Sequence, residues 1–186
     1  MSFVLSSCGS CTSDNGKDET IKVEKKEISV KELVELCKSD FEAVTDTNPK
    51  AMFYESDIVL SSSIASDTED YTVVKALNVV QSNGWCLRFS HDKDTTVVFK
   101  DNTYWLEDRP IDLDEIISLD SAITRVKMAN IIKPDSKAVV LRKILGPKPL
   151  NTMYIFGQTH TGFIYVDAVT GEVGQLEDSK TFTIKK

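Results

Sequence analysis

The residues best suited to chemistry in this chain are its two histidines and the charged residues beside one of them. His91-Asp92-Lys93-Asp94 places an imidazole, two carboxylates and an amine next to one another, and such groups serve acid–base catalysis or metal binding. The run lies between two apolar segments, however, and consecutive residues on a tight turn splay apart instead of converging on one ion. The sequence therefore favours a polar hairpin tip at this position.

His160 lies in a second hairpin-like loop, between Gly157 and Gly162. A general base needs a nucleophile within hydrogen-bond reach, and the sequence contains no Gly-x-Ser-x-Gly, phosphate-loop or His-Glu-x-x-His pattern. We therefore expect no catalytic residue, no cofactor and no metal ion, and we do not expect an enzyme. A hydrolase that uses His91 or His160 is the alternative.

The four cysteines do not form a recognisable metal or redox site. Cys8 and Cys11 make a Cys-x-x-Cys pair, but no second pair follows at zinc-site spacing and no βαβ pattern surrounds it. Cys37 lies on an apolar helical face and Cys86 in an apolar strand, so both are predicted to be buried thiols. A disulfide between Cys37 and Cys86 is the alternative.

Charge narrows the classes of partner. The chain has 186 residues, a formal net charge of -7 and a pI of about 4.9, and an acidic surface repels phosphate backbones and anionic lipids. We therefore expect no nucleic-acid partner. Hydrophobic residues make up 41% of the chain and charged residues 27%, which is typical of a globular protein.

The first predicted helix covers residues 28–44. Ser29 and Glu32 are spaced as a capping box, and Ile28 and Leu33 as a hydrophobic staple. One face is apolar at helical spacing: Val30, Leu33, Val34, Cys37, Phe41 and Val44.

The second predicted helix covers residues 117–129 and begins after Ser118 as its cap. A rival start at Asp112, boxed by Glu115, would place Asp120 on the buried face, so we prefer Ser118. The acidic residues before the helix then lie in solvent, where they complement the helix dipole.

Alternating apolar residues separated by turn residues predict eight strands. They cover residues 52–60, 71–81, 85–90, 95–100, 138–145, 152–156, 162–167 and 172–176. The combination predicts an α+β fold in which helix packs on an antiparallel sheet.

The last predicted hairpin has a distinctive turn. After the strand ending Tyr165-Val166, the Asp167 carboxylate can accept hydrogen bonds from nearby backbone N–H groups, and Gly171 can adopt a positive φ. We interpret Asp167 and Gly171 as structural turn residues, in preference to a Ca²⁺ or catalytic site at Asp167.

This hairpin resembles the end of the PepSY repeat, which closes on a Tyr-Val-Asp-Ala-x-Thr-Gly-Glu-Val type sequence. The repeat begins with an Ile-Ser-Leu-x-x-Ala-Ile type helix, which residues 117–123 match, and the resemblance covers about a third of the chain, residues 117–176. It implies a small α+β unit, export to the cell envelope or secretion, and a non-catalytic role in binding, inhibiting or restraining peptidases or other envelope proteins. It supplies no catalytic residues.

Residues 28–34 resemble residues 117–123 in their cap and apolar rhythm. Two tandem PepSY-like repeats are therefore one interpretation, although Asp101-Asn102-Thr103-Tyr104 stands where the first copy would have its closing turn. Chance likeness of two α+β segments is the other. The predicted division is an N-terminal tether at 1–27, an α+β unit at 28–110 and a PepSY-like unit at 111–186.

Leu5-Ser6-Ser7-Cys8 resembles a bacterial lipobox, in which the cysteine becomes lipidated. Only Phe3-Val4-Leu5 remains of the apolar stretch that a signal peptide needs; either the true start lies upstream of Met1 or the likeness is accidental. We expect a protein of the cell envelope, lipid-anchored at Cys8, or a secreted one, with membrane contact only through that anchor. The expected partner is a protein or peptide, and a purely structural envelope lipoprotein is a further alternative.

Overall fold

The computed structural model describes residues 19–22, 28–92, 95–105, 108–145, 150–159 and 162–177. Two helices lie within these residues, α1 at Leu33–Thr45 and α2 at Leu119–Met128. The strands are β1 Glu19–Lys22, β2 Ile28–Ser29, β3 Met52–Leu60, β4 Thr72–Ser82, β5 Trp85–Asp92, β6 Thr95–Asp101, β7 Ala138–Arg142, β8 Met153–Thr159, β9 Gly162–Asp167 and β10 Val173–Glu177. The eight predicted strands and both predicted helices are confirmed, with ends that differ by a few residues.

All the strands join one antiparallel sheet in the order β1-β6-β5-β4-β3-β7-β8-β9-β10, and β2 pairs with β4. Each helix is followed by a four-stranded meander, β3 to β6 after α1 and β7 to β10 after α2. The two meanders meet where β3 pairs with β7. The predicted α+β class, with helix packed on antiparallel sheet, is confirmed, and sheet predominates.

Both helices pack on the same face of the sheet. Leu33 and Cys37 of α1, and Leu119 and Ala122 of α2, are fully buried because apolar positions recur along one side of each helix. They contact the sheet residues that point to this face, which include Phe53, Ile58, Leu60, Ala76, Val80, Val139, Leu141, Tyr154, Phe156, Ile164 and Val166. This face carries the main core.

The start of α1 was predicted wrongly. Ile28 is a strand residue that pairs with Val73 of β4. The helix begins at Leu33, and the side chain of its N-cap residue, Glu32, makes no capping hydrogen bond. One contact of the predicted capping box is present, because the Ser29 N–H donates to Glu32 Oε2 at 3.4 Å. Ile28 and Ser29 pair with β4, and this pairing satisfies backbone N–H and C=O groups that would otherwise form hydrogen bonds within a longer helix.

The start of α2 was predicted correctly. Ser118 is extended, and its Oγ accepts a hydrogen bond from the Ser121 N–H at 3.2 Å. The carbonyl of Ile117 also accepts a hydrogen bond, at 2.9 Å, from the buried hydroxyl of Tyr154 on β8. The cap and this bond fix the position of α2 over the second meander.

Candidate functional site

His91 does not lie at a hairpin tip, and that prediction was wrong. It is the next-to-last residue of β5, its side chain points to the helix-covered face, and it is 5% exposed. Its Nε2 lies 2.6 Å from Asp40 Oδ2 of α1 and its Nδ1 lies 3.0 Å from Thr96 Oγ1. Because a carboxylate only accepts, Nε2 donates to Asp40. Asp92 lies at the turn as predicted, where its carboxylate accepts the Thr95 N–H at 2.9 Å; Lys93 and Asp94 lie outside the described residues.

The His91 cluster continues as a closed polar network between α1 and the sheet. Asn78 Nδ2 donates to Asp40 Oδ2 at 2.6 Å, and Cys37 Sγ donates to Asn78 Oδ1 at 3.5 Å. Burial, together with the nearby Asp40 carboxylate, raises the pKa of the Cys37 thiol to about 12, so it is a neutral thiol and a poor nucleophile. The network joins helix to sheet and gives a substrate no access.

One signal for this network was present in the sequence. Asp40 lies three residues after Cys37 and four before Val44, so it falls on the apolar face of the helix. A carboxylate in that position requires a buried partner.

Cys37 and Cys86 are both free and buried, as predicted. The alternative of a disulfide between them fails because they lie on opposite faces of the sheet. Cys37 belongs to the core on the helix-covered face. Cys86 of β5 lies opposite Gln81 of β4, on the helix-free face.

Asp167 and Gly171 form the turn between β9 and β10. Asp167 Oδ1 accepts the N–H groups of Val169 and Thr170 at 2.9 and 2.8 Å, and its carbonyl accepts the Gly171 N–H at 2.7 Å. Partial burial acts to raise the pKa of Asp167, but these bonds and one from Asn151 outweigh it and lower the pKa. The carboxylate is used within the turn.

Gly171 has φ +76° and lies against α2. Its carbonyl accepts a hydrogen bond from Arg125 Nη1 at 3.2 Å, and a Cβ at this position would lie 2.6 Å from Arg125 Nε. The turn therefore needs glycine for its backbone angle and for its contact with the helix.

The helix-free face of the sheet carries a continuous transverse row of side chains, which we call the open-face row. At its centre Asp57 of β3 lies opposite Val140 of β7. Register pairing extends it on one side through Leu77, Ser90 and Val97, and on the other through Ile155, Tyr165 and Gly174. Asp57 is exposed and the others are half-buried.

Part of the open face is covered by residues 102–105 and 108–109, which we call the crossing segment. The Trp105 N–H donates to Gln81 Oε1 at 3.3 Å, and the Arg88 guanidinium lies 5.9 Å from the Trp105 ring centroid. Beyond this point, the Arg109 N–H donates to the Lys143 carbonyl at 2.8 Å. Val79 and Cys86 of this face are buried, at 1% and 0% exposure.

A group of ionisable side chains lies where the crossing segment reaches β3 and β7. Arg142 Nε and Nη2 donate to Asp108 Oδ1 at 3.0 and 2.9 Å, and Arg142 Nε lies 3.6 Å from Glu55 Oε2. The Asp108 side chain is fully buried and that of Glu55 is 8% exposed. Sequence reasoning missed this group because a bulge between Phe53 and Glu55 turns Glu55 to the opposite face.

A groove of about 470 Å³ lies between α1, the start of β3 and the residues that follow the crossing segment. Its apolar lining includes Phe41, Met52 and Ile111. Asp114, one of the acidic residues before α2, is 85% exposed, as predicted for that group, and pairs at 2.7 Å with Lys38 at the groove. The rim mixes both signs of charge and selects no ligand class.

Three residues singled out in the sequence, Cys8, Cys11 and His160, lie outside the described residues. Within the part of the chain that the structure describes, no three His, Cys, Asp or Glu side chains are grouped to hold a metal ion. No helix among those residues has the length and apolar character needed to cross a membrane.

Comparison of the chain with family models, curated proteins and solved structures found no match.

Proposed function

We propose that this protein is a non-catalytic binding or inhibitory module that holds a protein or peptide partner on the open face of its sheet. The observation that carries the proposal is the open-face row, which crosses eight strands in unbroken register. Its apolar members, such as Leu77, Val140, Ile155 and Tyr165, are only half-buried. Interfaces of this kind gain their affinity from aromatic and aliphatic side chains that become fully buried by the partner.

The row also supports the proposal that the fold is a tandem of two PepSY-like repeats. The two meanders meet antiparallel at Asp57 and Val140, and each contributes one residue per strand to the row on its own side. The strand order runs outward from this seam in the same sequence on both sides, β3-β4-β5-β6 and β7-β8-β9-β10, and α1 and α2 lie on the same face. Duplication of one helix-plus-meander unit produces this arrangement without further rearrangement.

The proposed envelope setting is based on the lipobox-like Leu5-Ser6-Ser7-Cys8 sequence, together with the export that the resemblance to PepSY implies. A lipid at Cys8 would hold the sheet near a membrane, where envelope peptidases and other envelope proteins are the available partners. A peptidase bound on the sheet face can be restrained without any ionisable residue of this chain taking part in chemistry.

A matched pair of variants tests the binding face. Ile155→Lys places a charge in the open-face row, whereas Ile132→Lys places the same charge at a residue that is 64% exposed outside the row. Proteins captured from bacterial envelope extracts are identified by mass spectrometry, purified and titrated against each variant. We expect Ile155→Lys to raise the Kd for the partner by about tenfold or more and Ile132→Lys to leave it unchanged.

Equal binding by both variants would reject the open face as the site. If Ile155→Lys does not fold, as judged by circular dichroism, Ser90→Lys replaces it, because that change removes no apolar side chain from the row. When the captured protein is a peptidase, its activity with and without the module distinguishes inhibition from simple tethering.

A further inference from the structure

A carboxylate without a counter-ion lies at the centre of the open-face row. Asp57 is the only charged member of the row, and it is exposed. Its two cross-strand neighbours, Leu77 of β4 and Val140 of β7, have side chains that can neither donate nor accept a hydrogen bond. Within the described part of the chain, no side chain forms a hydrogen bond or an ion pair with the Asp57 carboxylate.

The cations on this face do not pair with Asp57. The Arg142 guanidinium donates to Asp108 Oδ1 at 3.0 and 2.9 Å, and its Nε lies 3.6 Å from Glu55 Oε2. Its hydrogen bonds are therefore directed away from Asp57. Lys75, on the same face of β4, makes no ion pair with Asp57 in the structure.

Apolar side chains surround the Asp57 carboxylate. Val59, the next residue of β3 on this face, is 39% exposed. Ala138 of β7 lies opposite Val59 and is also exposed. A partner that covers the row in order to bury these side chains must bury Asp57 with them.

Burial of Asp57 decides what such a partner carries. An ionised carboxylate that loses its water without gaining a counter-ion is strongly destabilising, whereas one that gains a cation is tolerated. Lysine and arginine combine a cationic head with a long aliphatic stem. The stem can pack on Val59 and Ala138 while the head pairs with Asp57.

We propose that the partner segment that binds the open face presents a lysine or arginine side chain to Asp57 and apolar side chains to the residues on either side of it. This inference rests on the proposed function, because it describes the partner chemistry of the same face.

The electrostatics of Asp57 agree with this geometry. Partial burial is the main cause that raises the pKa of Asp57; Arg142 opposes the rise and Asp108 adds to it. A raised pKa is expected for a carboxylate that is partly withdrawn from water and lacks a paired cation. A cation supplied by a partner would lower this pKa.

A phage-displayed library of random linear peptides, panned on the full chain, tests the proposal. Ile155→Thr removes an apolar side chain from the row without a change of charge, so peptides that bind this variant more weakly than wild type contact the open face. Compared with the unselected library, we expect those peptides to be enriched several-fold in lysine and arginine, with apolar residues on both sides.

Titrations of one such synthetic peptide then test Asp57 itself. Asp57→Asn keeps the shape of an exposed side chain and should raise the Kd by about tenfold. Asp46→Asn, the same change at the exposed end of α1, is the matched control and should leave the Kd unchanged. Glutamine in place of the peptide's basic residue should weaken binding to wild type but not to Asp57→Asn, and added salt should weaken binding to wild type more than to Asp57→Asn.

A measurement on wild type keeps the test decisive if Asp57→Asn does not fold. The pKa of Asp57, followed by the resonance of its carboxyl carbon, should fall when the peptide binds, because the cation favours the ionised form. An unchanged or raised pKa would overturn the inference.

The outcomes separate this inference from the proposed function. Peptides that depend on Ile155 but are not enriched in basic residues, or that bind wild type and Asp57→Asn equally, would refute the basic partner and leave the open face as the binding site. If no selected peptide depends on Ile155, the inference fails as well, and capture of envelope proteins with Ile155→Lys decides the proposed function separately.

Discussion

Valine at position 171 tests the terminal turn on which the resemblance to PepSY rests. The Gly171 backbone has φ +76°, a region that costs an L-residue about 1–2 kcal/mol. The valine Cβ would also displace the Arg125 guanidinium and break its 3.2 Å hydrogen bond to the Gly171 carbonyl, which is worth about 1 kcal/mol. The two effects together predict a loss of ~3 kcal/mol, or a Tm lower by ~6–12 °C for a chain of this size.

Chemical denaturation and thermal melting of a short variant series separate the two causes. Gly171→Asn tolerates the positive φ but still meets Arg125, so it should lose less stability than Gly171→Val. Adding Arg125→Ala to Gly171→Val should cost less than the sum of the single changes, because the collision is then gone. Val169→Ala, a change on the exposed part of the turn that keeps the Val169 N–H bond to Asp167, should lie within about 0.5 kcal/mol of wild type.

If Gly171→Val melts together with Val169→Ala and wild type, the turn is not built on a left-handed Gly171. The assignment of the closing hairpin would then be wrong, and the likeness to the PepSY repeat end would have no structural meaning.

Three further changes probe the fold. The pKa of Glu55 is raised from 4.5 to about 8, so the folded protein binds the Glu55 proton more tightly than the unfolded chain does. The free energy of unfolding should therefore fall by a few kcal/mol as the pH rises from 4.5 towards 8. Urea melts of Glu55→Gln should lack this fall. His91→Ala leaves Asp40 buried without its histidine and should cost about 3 kcal/mol in a urea melt, with no loss contradicting the buried pair. Ser118→Ala removes the hydroxyl oxygen that accepts the Ser121 N–H and should lower the free energy of unfolding by ~1 kcal/mol, again measured by a urea melt. An unchanged midpoint would argue against the cap.

Local rules in the sequence predicted the elements well where the elements are decided locally. The β3 strand, at Met52–Leu60, follows from alternation and flanking turn residues, and the α2 start follows from the requirement that Asp120 avoid the core. The predicted start of α1 was wrong because Ile28 pairs with Val73 of β4, which lies 45 residues later in the chain. A capping box between Ser29 and Glu32 cannot reveal that competitor.

The polar clusters could not be predicted for a related reason. His91 and Asp40 are 51 residues apart, and their contact depends on how α1 lies on the sheet. Glu55 follows Phe53 by two residues, so simple alternation assigns both to one face, and only the bulge separates them. Signals that act over long sequence distances, or that shift strand register by one residue, are weak in a single sequence.

The seam between β3 and β7 argues for which part of the open face a partner reaches. The two ends of this seam differ in chemistry. At one end Glu55 faces Arg142, and the crossing segment covers them; at the other, Val59 faces Ala138 and both are exposed. The chain itself occupies the charged end, so the proposed binding function places its partner at the apolar end, which is continuous with the open-face row.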